Sequence, residues 1–402
     1  MNIIRGWEDI VKISEKTSVI IWGAGNLGHR LLQEIRVNGL KNVYIYDEND
    51  LKTNDMKERI TLQQIKCEMD EFVAVIAVAD ENIADEISIK ILMLNEKAQI
   101  FRYAPKDGEY LKQKLKEQGF YNGVKSVKAL DDFNARKMLE EKINNEEPFL
   151  CSRWGSVEGN AVYADLSGIF TDNEIFSLKN NAGFYPLDKE SIHKFVEYSI
   201  NAAKEIDVLA AGCWCIRIEE LYRFYSPNAV LINSPMMCPV WENIAWTRSL
   251  KGKKVLVIHP FAKLMEKQYV HHDKLFESAD ILPQIDLKVY QAVQSMNGSL
   301  EFESWFDALE KMENDISMID FDVALIGCGA YGMPLGAFIK SKLHKKAIHM
   351  GGALQLLFGI KGKRWEHENF NYQYKLYNEY WVRPTDDLKP KNYKQVENGC
   401  YW

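Results

Sequence analysis

The stretch "SRWGSVEGN" (152–160) puts one acid, Glu158, in a short turn bracketed by glycines, directly after an apolar run. A carboxylate so placed can deprotonate an acceptor hydroxyl or hold a divalent cation. The physics allows equally that Glu158 is an acid in the first turn of a helix, favoured there by the dipole. Two later segments, "LIGCGAYGMPLGAFIK" (325–340) and "HMGGALQLLFGI" (349–360), each read as strand, glycine turn and helix. Their Gly327, Gly329, Tyr331, Gly332, Gly351 and Gly352 stand where backbone N–H groups can be aimed at an anion. "GIKGKRW" (359–365) adds Lys361, Lys363 and Arg364 between glycines, cations suited to neutralising a leaving phosphate. Alone it reads as a solvated basic turn; beside two glycine turns the anion reading gains weight.

A separate glycine turn occurs much earlier, in "VIIWGAGNLGHRLL" (19–32). Gly23, Gly25, Asn26 and Gly28 lie between a β-branched run and an amphipathic run, the context in which such a turn receives a diphosphate. Asp47 ends the next apolar run, where an acid can accept a ribose hydroxyl. The expected ligand is a nucleotide or nucleoside-diphosphate sugar, with NAD less favoured because a hydride site is missing. Tyr110 and Lys114 have the spacing of a reductase pair, but they lie in a charged stretch without a matching serine, and chance explains them better. A retained fold whose turn binds nothing is the competing reading of Gly23–Gly28.

The elements that must position these residues follow from the periodicity. Apolar runs at 18–22, 41–50, 72–80 and 98–105 alternate with helical stretches, the pattern of βαβ units and a parallel sheet. A charged helical stretch at 106–147 reads as a linker. A second, longer series starts at Pro148, with strands expected at 148–153, 207–212, 229–234, 253–261, 286–293, 321–329 and 345–352. The expected fold is α/β: two Rossmann-like parallel-sheet domains (1–105 and 148–402), the second larger and ending in an aromatic-rich tail. Ligands of open parallel sheets collect at the carboxyl ends of strands, which gathers Arg153, Gly155, Ser156, Glu158, His259, Gln294 and the later glycines into one candidate site.

Composition excludes several classes. The 402 residues are 47% hydrophobic and carry a formal net charge of −7, which argues against a nucleic-acid partner. No apolar run reaches the ~18–20 residues of a membrane span, so a cytoplasmic protein with at most peripheral membrane contact is expected. The seven cysteines are irregularly spaced and odd in number, unlike a disulfide framework. Cys213 and Cys215 lack a second pair at zinc-like spacing, and His271 and His272 read as solvated helix residues.

The stretch "SRWGSVEGN", with "NNAGFYP", "GKKVLVIHPF", "FDVALIGCGAYGMPLGAFIK" and "KKAIHMGGALQLLFGIKGKRW", resembles the GT-D-type glycosyltransferases and an uncharacterised family associated with polysaccharide clusters. Residues 17–104 resemble the small nucleotide- or sugar-nucleotide-binding modules found at the front of bacterial surface-polysaccharide proteins. The resemblance implies transfer of a sugar from a nucleotide-sugar donor to a glycan or lipid-linked acceptor, with Glu158 at the catalytic centre and Mn²⁺ or Mg²⁺ as the cofactor. The family's D-x-E pair reads Ser156-x-Glu158 here, which puts that metal in question. The competing functions are an NAD-linked sugar-nucleotide reductase or epimerase and a non-catalytic sugar-nucleotide-binding protein.

Overall fold

The computed structural model describes residues 2–4, 7–14, 17–37, 41–49, 52–53, 56–78, 81–103, 129–167, 172–211, 225–242, 244–295, 301–366, 376–390, 393–396 and 398–402. The chain divides into two compact units, 1–119 with 166–171, and 120–165 with 172–402. Tyr110, Lys114, Cys213 and Cys215 lie outside the described residues.

The first unit is a five-stranded parallel sheet of β1 (Asn2–Ile4), β2 (Ser18–Trp22), β3 (Val43–Tyr46), β4 (Phe72–Ile76) and β5 (Gln99–Tyr103), in the order β1-β5-β4-β2-β3. Alternation in β2 sends Val19 and Ile21 into one core and Ile20 and Trp22 into another, so both faces are covered. The short edge strand β1 has no signal of its own in the sequence: only pairing with β5 makes it a strand.

The second unit is a seven-stranded parallel sheet of β6 (Leu150–Ser152), β7 (Val208–Ala211), β8 (Val230–Asn233), β9 (Lys254–His259), β10 (Asp286–Gln291), β11 (Val323–Ile326) and β12 (Lys346–His349). Their order, β10-β9-β11-β12-β6-β7-β8, brings β6 beside β12 and β9 beside β11, although neither pair is consecutive in the chain. Both units are thus Rossmann-like. Cys151, Val257, Leu325 and Ile348 face one core, which also buries Trp381, Val396 and Trp402 of the C-terminal tail. On the other side of the sheet, Gly336 lets the helix Gly332–Ser341 lie close to β6, because a Cβ there would come within 2.6 Å of Leu150 Cδ1.

Two local expectations change. The helix Asp132–Asn144, which the charge pattern assigns to a linker, buries Ala135, Leu139 and Ile143 in the second unit's core. Its apolar stripe is narrow, so composition alone masks it. His271 and His272 lie beyond the helix Ala262–Tyr269, and His272 is half-buried, stacked on Tyr269 at 4.8 Å.

Candidate active site

β6 ends at Ser152, and Arg153, Trp154 and Gly155 carry the chain into the helix Ser156–Ser167, with Glu158 in its first turn. The Glu158 carboxylate lies directly against Gly155: a Cβ on that residue would stand 1.9 Å from Glu158 Oε2. Only glycine leaves this space. Burial pushes the Glu158 carboxyl above the ordinary carboxylate range, opposed by its own backbone N–H and by the Arg153 guanidinium. Helix-start acid and cleft acid are therefore the same residue in this geometry.

Glu158 lines a cavity of about 550 Å³ at the carboxyl ends of the second sheet, and it is the one carboxylate among the described residues lining it. The β6 end contributes Arg153, Gly155 and Ser156, the β9 end His259, and the segment after β10 Gln294. Gly327, Gly329 and Tyr331 follow β11, Gly351 and Gly352 follow β12, and Arg364 completes the cationic wall. Several connections that never meet in the sequence converge here because the strand order interleaves early and late strands.

The glycines of this turn make room for side chains. A Cβ on Gly327 would approach His259 Cδ2 to 2.8 Å, and one on Gly332 would approach His349 Nε2 to 2.3 Å. Gly351, at φ +64, lies against the Arg153 side chain. His259 Nδ1 accepts the Phe261 N–H at 2.9 Å, which leaves the ring proton on Nε2. Burial pulls His259 down to about 3, so it is a neutral ring at physiological pH. His349 is likewise pulled down to about 3, by burial and by Arg153. Its Nδ1 lies 3.1 Å from Ser152 Oγ, whose hydroxyl donates to Arg153 O.

Tyr331 is held rather than mobile. Ser295 Oγ donates to Gly183 O at 2.7 Å and so receives the Tyr331 hydroxyl, also at 2.7 Å, while the Tyr331 ring stacks on Trp305 at 4.8 Å and 6°. Gly332, beneath His349, is outside the cavity lining, and the three loop cations part company. Arg364 lines the cavity with its guanidinium 4.8 Å from the Tyr401 ring centroid. Lys361 instead lies over Tyr377 at 5.1 Å, and Lys363 Nζ reaches Asn398 O at 3.5 Å. Neither lysine lines the cavity.

Sequence reasoning missed Tyr401, Trp402, Asn181 and Ser295, all lining residues. Asn181 sits in the "NNAGFYP" block, whose resemblance was visible without a role. Tyr401 and Trp402 belong to a tail without periodicity, where the density of aromatics was the one available signal. Among the described residues no group of three or more His, Cys, Asp or Glu is arranged to hold a metal ion.

The first glycine turn is built differently. Gly23, at φ +107, packs against Val78 and Ala77, and a Cβ on Gly28 would stand 1.8 Å from Gly23 O. Gly25 has nothing within 4 Å of its would-be Cβ, so the protein's own packing does not require it. Asp47 Oδ2 accepts the Ala24 N–H at 2.8 Å, and Oδ1 accepts the Asn49 N–H at 2.9 Å. Burial pushes the Asp47 carboxyl up, yet these two donors and the Lys52 ammonium together hold it below the ordinary range. Asn26 begins the helix Asn26–Val37.

No helix of the described residues is long and apolar enough to cross a membrane. No protein-family model and no curated protein matches the chain. A solved structure described as the selenomethionine-substituted structure of domain of unknown function 1792 is similar over 70% of this chain and 96% of that one, at 11% identity and a TM-score of 0.35, and a likeness at that level carries nothing about the site.

Proposed function

We propose that the second unit is a glycosyltransferase that takes a sugar from a nucleotide-sugar donor, in surface-polysaccharide or glycan biosynthesis, with Glu158 as the base for the acceptor hydroxyl. The observation that carries this reading is the Glu158 carboxylate pressed against Gly155 in the cavity wall, raised by burial and beside Arg153. A general base serves best when its pKa approaches the working pH, and burial moves Glu158 that way. Arg153 and Arg364 supply positive charge for a diphosphate leaving group, and the glycine turn Gly327–Gly329 ahead of the helix Gly332–Ser341 brings backbone to the same wall. The resemblance of "SRWGSVEGN" and the later blocks to GT-D-type enzymes supports the same assignment. The chemistry of the lining fits a metal poorly, since Glu158 is the single acidic side chain among its described residues and Ser156 stands in place of the partner acid.

In this mechanism Arg153 and Arg364 bind the diphosphate, and His259, a neutral ring with its proton on Nε2, offers a donor whose charge does not change with physiological pH. Glu158 accepts the proton of the attacking hydroxyl as the bond from anomeric carbon to diphosphate breaks. Incubating the protein with uridine, thymidine and guanosine diphosphate hexoses, with and without Mn²⁺, tests this. Release of the nucleoside diphosphate that Glu158→Gln abolishes is the expected result; binding without release in any condition would return the protein to a non-catalytic sugar-nucleotide role. The first unit is proposed as an accessory nucleotide- or sugar-nucleotide-binding module.

A further inference from the structure

Arg364 is a long, flexible side chain, and holding it at a ligand costs rotamer freedom unless something fixes it. In this structure a residue from the aromatic tail does so. The Tyr401 ring lies under the Arg364 guanidinium at 4.8 Å, within cation–π range. The Arg364 backbone N–H donates to Cys400 O at 2.8 Å, tying the basic turn to the same segment. Tyr401 is fixed in turn: its carbonyl accepts from Gln355 Nε2 at 3.2 Å, and its ring rests on Gly352, where a Cβ would come within 2.5 Å of Tyr401 Cε1. Burial pushes the Tyr401 phenol up, while the Arg364 guanidinium, which also hydrogen-bonds the phenol oxygen, and Arg153 pull it down. Tyr401, Arg153 and Arg364 all line the cavity.

We propose that Tyr401 is a positioning residue that aims Arg364 at an anionic ligand, so that the two arginines act as a preorganised clamp for a diphosphate. The inference rests on the diphosphate reading of the cavity. It also explains two features that the glycosyltransferase resemblance leaves without a role. The first is Gly352, whose missing side chain admits the Tyr401 ring. The second is the aromatic tail, which closes the wall that the sheet leaves open. Preorganisation of this kind raises affinity by lowering the cost of ordering rather than by adding a contact to the ligand.

The test measures binding of UDP and of inorganic pyrophosphate by calorimetry to the full chain and to Tyr401→Leu, Tyr401→Phe, Arg364→Gln and the double variant Tyr401→Leu/Arg364→Gln. Tyr401→Leu is expected to weaken both probes about ten-fold, as a lost cation–π contact of a half-buried guanidinium should. Tyr401→Phe keeps the ring but loses the hydroxyl's hydrogen bond with Arg364, and should bind between the parent and Tyr401→Leu. The double variant should bind no worse than Arg364→Gln, because a ring that acts through the guanidinium has nothing left to aim. Losses that multiply in the double variant, a Tyr401→Phe as weak as Tyr401→Leu, or a Tyr401→Leu of parental affinity would each overturn the assignment. If Tyr401→Leu fails to fold, Tyr401→Met, closer in volume, carries the same comparison. A parent that binds neither probe removes the diphosphate reading itself and this inference with it; binding with independent losses removes only the role of Tyr401.

Discussion

The two glycine turns follow the same local plan, strand to glycines to helix, yet their glycines answer to different neighbours. In the turn after β2, Gly28 is required by the Gly23 carbonyl of the same turn and Gly23 by its φ of +107 and by Ala77 and Val78 beyond β4, and Asp47 already holds the Ala24 N–H. In the turn after β11, Gly327 is required by the Gly351 carbonyl and by His259, Gly332 is required by His349, and Gly351, beyond β12, lies against Arg153. One turn packs against backbone and apolar side chains, and the other is also shaped around His259, His349 and Arg153, which line a cavity. A glycine motif therefore reports a tight turn reliably, and reports chemistry only through what fills the space that the glycines leave.

The largest effect expected from this comparison is at Glu158. Glu158→Gln should lower turnover by about 10²–10⁴-fold, the range for a lost general base, with donor affinity nearly unchanged. The parent's pH–rate profile should show an acid limb above the ordinary glutamate range, since burial raises this carboxyl. Gly155→Ala probes the same group indirectly. Its Cβ would displace the carboxylate, and displacement by about 1 Å can cost about 10²-fold in rate. A Gly155→Ala protein that turns over as the parent does would show that the placement of Glu158 is not used.

The cations come next. Arg364→Gln should weaken nucleoside diphosphate binding by about 1.5–3 kcal/mol, the value of a charge-assisted hydrogen bond. Lys361→Ala and Lys363→Ala should each change it by less than about two-fold, as screened charges outside the cavity. Equal losses at all three positions, measured by calorimetry, would mean that the loop rearranges around the ligand and that the difference between the cations is not real.

The first turn separates packing from binding. Gly28→Ala should destabilise the first unit by about 1–3 kcal/mol through overpacking against Gly23 O, read by thermal melting. Gly25→Ala should leave stability within about 0.5 kcal/mol, as its side chain meets no protein atom, and should weaken any nucleotide ligand of that unit. A nucleotide affinity in Gly25→Ala equal to the parent's would place that ligand away from this turn.

The smallest effect is on stability against pH. The folded state holds the Glu158 carboxyl above its ordinary value of 4.5, so the unfolded chain releases that proton first as pH rises. Stability present below that pH is then lost as pH climbs through the raised folded value. At neutral pH Glu158→Gln should therefore melt slightly higher than the parent, and the difference should vanish near pH 4. A variant that melts lower at neutral pH would mean that the charged carboxylate is stabilised and not strained.

Periodicity and glycine placement in the sequence were enough for the α/β class, the parallel strands of both units other than β1 and the two turns, because both faces of a buried parallel strand must be apolar and a tight strand-to-helix turn needs glycine. The rule that ligands meet the carboxyl ends of strands also gathers Arg153, Glu158 and His259 from the sequence alone. The strand order lay beyond that reasoning, since nothing local says that β12 pairs with β6 across nearly two hundred residues. Likewise only tertiary structure separates Arg364 from Lys361 and Lys363. All three have the same charge and nearly the same neighbours in sequence, but one guanidinium meets the Tyr401 ring at the cavity while the two ammonium groups turn to Tyr377 and Asn398. The tail could not be read for the same reason: Tyr401 and Trp402 gain their place from long-range packing against Gly352 and Phe261, and a side chain's partner is a property of the folded chain and not of its neighbours in sequence.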